Sequence, residues 1–210
     1  MSVYLNERFQ YVSDEGVRYA SVSQILRDVG IRKSFDGKVS PAVLEHAAWR
    51  GKEVEKHCFH IAKFGFTDCP DDEEISTRVS AFNDWWNTHD LEYVSHHEVV
   101  WDDEILVAHE LDLVVKLEGQ LTAVDIKSTA SAEKDWPIQC GAQMSMRGAM
   151  TFESHDGAVL HINPKFKKGY IYRPYGQDAA SAWELASDAR IVSLGAFRNA
   201  KALIEELSRR

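Results

Sequence analysis

The sequence predicts a single α/β domain in which a mixed central β-sheet is flanked by helices. Three observations predict it: apolar residues at helical spacing between Ser40 and Thr88, period-two runs between Tyr93 and Tyr172, and a second helical pattern from Ala180 to Leu207. A chain of 210 residues has length enough for one sizeable core, burying roughly 70% of its unfolded surface without disulfide staples. Its 44% hydrophobic and 27% charged residues exclude a disordered, collagen-like or disulfide-scaffold chain. Three widely spaced cysteines, Cys58, Cys69 and Cys140, suit a reducing compartment. Net charge is −9, so bulk electrostatics would not hold the protein on nucleic acid. Met1 to Gln10 carries no apolar leader core, and no run approaches the ~18 apolar residues of a membrane span. The expectation is a soluble, cytoplasmic protein.

Taken in order, Phe9 to Tyr19 reads as a hairpin turning at Asp14-Glu15-Gly16. Ser21-Val22-Ser23-Gln24 has capping-box spacing, and Gly30 is placed to end the short helix that follows. Ile31 to Val39 is a polar loop. Ser40-Pro41 opens a helix running to about Phe64, with Ser as cap and Pro where its missing N–H costs nothing. Cys69-Pro70-Asp71-Asp72 breaks the chain before a helix from about Glu73 to Thr88, with Ile75, Val79, Phe82 and Trp86 on one stripe. Strands are expected at Val94–Trp101, Ile105–His109, Asp112–Leu117 and Leu121–Lys127, then a helix from Pro137 to Met150. Ala158–Ile162 and Tyr170–Tyr172 are the last strands. The divisions are a helical N-terminal part (1–92), a sheet core (93–175) and a C-terminal helix (177–210).

The chemistry is concentrated between Leu111 and Ser128. If the two strands join through a two-residue turn at Glu118-Gly119, Leu117 faces Gln120 and the register brings Asp112 opposite Asp125. A slip of one residue would send them to opposite faces. Carboxylates held that close must share a proton or a cation. Asp125 and Lys127 project from one face, while Ile126 and Val124 point into the core. Hard oxygen ligands suit Mg²⁺ or Mn²⁺ rather than zinc. A lysine beside such an ion would have its charged form disfavoured and would help deprotonate water. The helix from Pro41 adds a third acid, because Leu44, Ala48, Gly51, Glu55, Cys58 and Ala62 form one stripe in which only Glu55 is charged. A carboxylate amid a core-facing stripe needs something positive to meet it.

Arg50-Gly51-x-x-x-Glu55, Glu110-Leu111-Asp112, Val124-Asp125-Ile126-Lys127-Ser128 and Pro137-Ile138-Gln139 together resemble the successive motifs of a PD-(D/E)XK nuclease. The resemblance is to the RecB-like exonuclease subgroup, which has phage members and includes the mitochondrial genome maintenance exonuclease. Tyr19 to Leu26 resembles that group's "SVT-x-IL" opening, and the similarity spans roughly Tyr19 to Phe197. It departs at two places: Glu55 stands where His is usual, and Gln143 stands where Gln-x-x-x-Tyr has its tyrosine. The resemblance implies a restriction-endonuclease-like core. It also implies a metal-dependent DNA exonuclease acting in phage or bacterial recombination or repair, with a recombination or replication protein as a possible partner. Glu55, Asp112, Asp125 and the Ile126 carbonyl would hold Mg²⁺ or Mn²⁺. Lys127 would contact the attacking water or the developing charge, and Gln139 would orient Lys127 or a phosphate. Arg32, Lys33, Lys38, Lys165, Lys167, Lys168 and Arg173 are candidate DNA contacts, and Trp85, Trp136 and Trp183 candidate stacking partners. Three cysteines cannot complete the four-cysteine iron–sulfur cluster of some relatives.

Plainer readings compete. Asp112, Asp125 and Lys127 also fit a surface hairpin with a salt bridge, Glu55 a helix turned toward solvent, and Gln139 a simple helix-start residue. The Lys165–Lys168 cluster also fits a solvated turn, and the tryptophans fit the core. His96, His97 and His109 read as surface or strand-edge residues, and His57, Cys58, His60 and Cys69 lack the paired spacing of a zinc site. A catalytically silent nuclease-fold module that binds nucleic acid is the alternative function, and a hydrolase of small phosphoesters a third.

Overall fold

A computed structural model gives the architecture and describes residues 2–32, 39–68, 70–151, 155–176 and 178–188. In chain order the elements are β1 (Val3–Leu5), β2 (Tyr11–Ser13), β3 (Arg18–Ser21), α1 (Val22–Asp28), α2 (Pro41–Phe64), α3 (Glu73–Thr88), β4 (Leu91–Asp102), β5 (Val107–Leu117), β6 (Gln120–Lys127), α4 (Trp136–Thr151), β7 (Asp156–Ile162) and β8 (Tyr170–Tyr175). A last helix, α5, covers 178–188. The strands form one mixed sheet in the order β1-β2-β3-β5-β6-β7-β8, with β4 pairing β5. The pairs β3–β5 and β6–β7 are parallel and the others antiparallel. The chain thus belongs to the α/β class expected.

Local chemistry accounts for the element boundaries. The Ser21 hydroxyl accepts the Gln24 N–H and caps α1. Asp72 accepts the Glu74 and Ile75 N–H groups at the start of α3. The β2–β3 hairpin turns where the Asp14-Glu15-Gly16 signal places it. Two core clusters lie on opposite sides of the sheet. One joins α2 and α3 to Leu113, Val115, Val124 and Leu160; the other joins α1, α4 and Trp183 of α5 to Val107, Val114 and Ala123. Gly141 permits the close packing of α4 and α5, because a Cβ there would stand 1.9 Å from the Ala179 carbonyl oxygen.

The structure revises several sequence expectations. β5 is one continuous strand across Glu110-Leu111, since ladder bonds to β4 run its whole length. A further short strand, β1, pairs with the expected N-terminal hairpin. On α3 Phe82 and Trp85 are fully buried, while Trp86 is half-buried and stacked on Phe82. The stripe on α2 is core only in its C-terminal half, through Val54, Cys58, Phe59, Ile61 and Ala62, while Leu44 and Ala48 are exposed. Of the predicted C-terminal helix, residues 189–210 lie outside the described residues, as does Cys69. Among the described residues, no helix is long and apolar enough to cross a membrane.

Candidate active site

Glu118 and Gly119, at φ 52° and 83°, form the two-residue turn joining β5 to β6. Leu117 therefore pairs with Gln120, and the ladder runs to Leu113 opposite Val124. One step further the carboxylate of Asp112 enters the ladder's place: its Oδ2 accepts the Ile126 N–H at 2.8 Å. Val124 and Ile126 pack toward α2 and α3. Asp125 faces α4, where the side-chain amides of Gln139 and Gln143 donate to its Oδ1 at 2.9 and 3.3 Å. The Lys127 ammonium lies 2.5 Å from Asp125 Oδ2. Gln139 thus holds Asp125, rather than Lys127 or an open phosphate position.

Helix α2 is pinned to the end of β6 one turn before Glu55. A Cβ on Gly51 would lie 3.8 Å from Ser128 Oγ, and Arg50 Nη2 donates to the Ser128 carbonyl at 3.4 Å. Glu55 is thereby brought into the field of the strand residues. Burial pushes its carboxyl up, Asp125 adds to the rise, and His97 and Lys127 oppose it. Asp112 is pushed well above the usual carboxylate range by burial and then by the charges of Asp125 and Glu55. Burial would lower the Lys127 ammonium, but Asp125 and Asp112 outweigh it and hold the group charged. Without a bound ion, Lys127 is thus a cation held by Asp125.

Asp125 Oδ2 is buried and, despite the nearby ammonium, makes no well-aligned hydrogen bond. An excess of hard, mutually repelling oxygens with one such oxygen fits a divalent cation of the Mg²⁺ or Mn²⁺ kind. Among the described residues, no three His, Cys, Asp or Glu side chains already converge on one point. Lys127 stands against Asp125 Oδ2, and the Ile126 N–H against Asp112 Oδ2.

Sequence reasoning missed Gln143, His109 and the pair His97–Glu110. Gln143 follows Gln139 by four and so shares its helix face, a signal that was available. Its amide also lies 2.9 Å from His109 Nε2. His109 is buried, not a strand-edge residue, and burial lowers its pKa to about 4. The neutral ring is therefore the folded form. Its contribution to stability is complete above the unfolded value of about 6.5 and is lost as pH falls toward 4, amounting to about 3 kcal/mol. Denaturant melts of wild type and His109→Gln across that window are expected to converge as pH falls, because only wild type loses this contribution. On β4, His97 Nδ1 lies 2.9 Å from Glu110 Oε1, which raises the imidazole and lowers the carboxyl.

The candidate DNA contacts separate into distinct groups. Arg32 is committed to protein: it pairs with Asp135 and donates to Ser23 Oγ at 2.7 Å and to Gln139 Oε1 at 3.3 Å. It braces the glutamine that holds Asp125. Lys33 and Lys38 lie outside the described residues. Lys165, Lys167 and Lys168 are exposed on the β7–β8 turn, and Arg173 is half-buried on β8. Asn163 ties that turn to the loop after Lys127, donating to the Thr129 and Ala130 carbonyls at 3.2 and 3.1 Å and accepting the Lys165 N–H at 3.0 Å. Trp85, Trp136 and Trp183 are buried core residues and have no face to offer a base.

Known proteins add little to this picture. No protein-family model matches the chain, and no curated protein matches it. Among solved structures, the chain is similar to an alkaline exonuclease (LHK-Exo) from Laribacter hongkongensis, at 13% identity and a TM-score of 0.47, with 90% of this chain and 94% of that one covered. It is also similar to SSO0001, at 13% identity and a TM-score of 0.31, over 67% of this chain and 74% of that one. Likeness of this degree carries no weight for the chemistry, which rests on the site itself.

Proposed function

We propose that the protein hydrolyses DNA phosphodiester bonds with Mg²⁺ or Mn²⁺, working from strand ends in recombination or repair in a bacterial or phage-infected cytoplasm. One observation carries the reading: at the end of the β5–β6 hairpin Asp112 accepts the Ile126 N–H and Asp125 pairs with Lys127, and α2, which carries Glu55, is fixed to Ser128 just beyond them through Gly51 and Arg50. That combination matches the motif order of the PD-(D/E)XK resemblance, which also supplies the preference for ends and the possible recombination or replication partner.

When bound, the ion neutralises charge on the scissile phosphate and lowers the pKa of water. Asp112, Asp125 and Glu55 would hold it, with the Ile126 carbonyl as a further oxygen. The chain's own contribution is placement. Gln139 and Gln143 fix the Asp125 carboxylate through Oδ1, leaving Oδ2 toward Lys127. The Ile126 N–H fixes Asp112 in the same way. Lys127 keeps its proton and presents positive charge to the oxygen on which negative charge develops. The exposed lysines of the β7–β8 turn provide local positive charge that the net charge of −9 does not.

End-labelled single- and double-stranded DNA incubated with Mg²⁺ or Mn²⁺ tests the reading, with shortening from the ends as the expected result. Melting in parallel should rise with Mn²⁺, as linkage requires of a multi-carboxylate site. A rise in melting with intact DNA would favour the silent module, for which Lys127 closed on Asp125 is the supporting feature. Cleavage of model monoesters alone would favour a small-phosphoester hydrolase.

A further inference from the structure

The N-terminal loop and α2 enclose a cleft of about 490 Å³ that leads to the site, lined by Phe9, Lys52, Glu55, Lys56 and His60 among others. That volume is within the range of small-ligand pockets, ~300–1,000 Å³. Phe9 is 73% exposed. A large aromatic in that position loses the stabilisation that burial would bring, and this one also has φ 56°, a conformation costly for a bulky side chain. The loop nevertheless holds it. Asn6 Oδ1 accepts the Arg8 and Gln10 N–H groups, each at 3.0 Å, and the Asn6 carbonyl accepts the Phe9 N–H at 2.9 Å. The Lys52 ammonium sits 4.9 Å from the Phe9 ring centroid, joining the loop to α2 one turn from Glu55.

A rigidly presented exposed ring, the Lys52 ammonium beside it, and Lys56 and the Glu55 carboxylate lining the same cleft match one ligand chemistry. The ring stacks a nucleobase, and the lysines meet the phosphates on either side. A base inside a duplex has both faces covered by its stacked neighbours, so the platform takes a nucleotide freed from the stack.

We infer that Phe9, with Lys52 and Lys56, forms a subsite for an unpaired nucleotide next to Glu55, so that the strand entering the site is single. This deepens the proposed function and rests on its nucleic-acid reading. The test is fluorescence anisotropy, without added metal and with Ca²⁺, on a labelled oligothymidylate and on a base-free deoxyribose-phosphate oligomer of equal length. Phe9→Ala is expected to weaken oligothymidylate binding about 10-fold and to leave the base-free oligomer unchanged. Phe9→Trp is expected to restore binding, and Phe66→Ala, equally exposed but outside the cleft, to have no effect. Equal binding by wild type and Phe9→Ala, or an equal loss on both oligomers, overturns the inference. DNA cleavage with Phe9-independent binding overturns it alone. Phe9-dependent binding without cleavage overturns the nuclease reading and leaves the subsite standing, and no binding of either oligomer overturns both.

Discussion

Lys127→Ala is expected to lose Mg²⁺-dependent DNA hydrolysis by a factor on the order of 10²–10³, the effect of removing one group that stabilises developing charge. The same change leaves buried Asp125 without its cation, so the variant should also melt lower in metal-free buffer. These two losses have different remedies. Mn²⁺ supplies the missing positive charge and should raise the variant's melting temperature by more than it raises that of wild type. It supplies no ammonium, so hydrolysis should stay low. Single-turnover cleavage and melting, each with and without Mn²⁺, read both effects. Unchanged cleavage in the variant would remove Lys127 from the chemistry.

Asp112→Asn is expected to move stability and activity in opposite directions. Burial, Asp125 and Glu55 all disfavour a charge on the Asp112 carboxyl. An amide removes that charge, while its oxygen can still accept the Ile126 N–H. Relieving a poorly compensated buried charge stabilises on the order of 1–4 kcal/mol, so the variant should be more stable than wild type in metal-free buffer. It should also lose most of the Mn²⁺-induced rise in melting, and hydrolysis with it. The sign follows from linkage. A carboxyl raised in the folded state binds its proton at a higher pH than in the unfolded state, so its charge weakens folding as pH rises through that window. The stability difference between wild type and variant should therefore widen from pH 4 to pH 7. A difference that stays flat with pH would mean that Asp112 carries no such strain.

The hairpin at the centre of the site was legible because its determinants are local. A two-residue turn at Glu118-Gly119 sets the register, and the strand period of two then places Asp125 and Lys127 together and Ile126 opposite. Gln139 was identified by its place in a motif, but its partner Asp125 was not, since α4 reaches the sheet only through a crossover to β7. Arg32 shows the same limit. As a residue in a polar loop it reads as a free cation, yet Asp135, more than a hundred residues later, claims it.

By itself the sequence determined the order of the helices from α1 to α4 and the hairpin register, and it singled out three acids and one lysine as a candidate site. Each follows from spacing along a short stretch of backbone. The tertiary structure alone decided that Lys127 closes on Asp125, that His109 is neutral and buried, and that Phe9 stands beside Lys52 at the mouth of a cleft. Those outcomes depend on desolvation and on charges from distant segments, which act across space once the layers pack and have no signature in local periodicity.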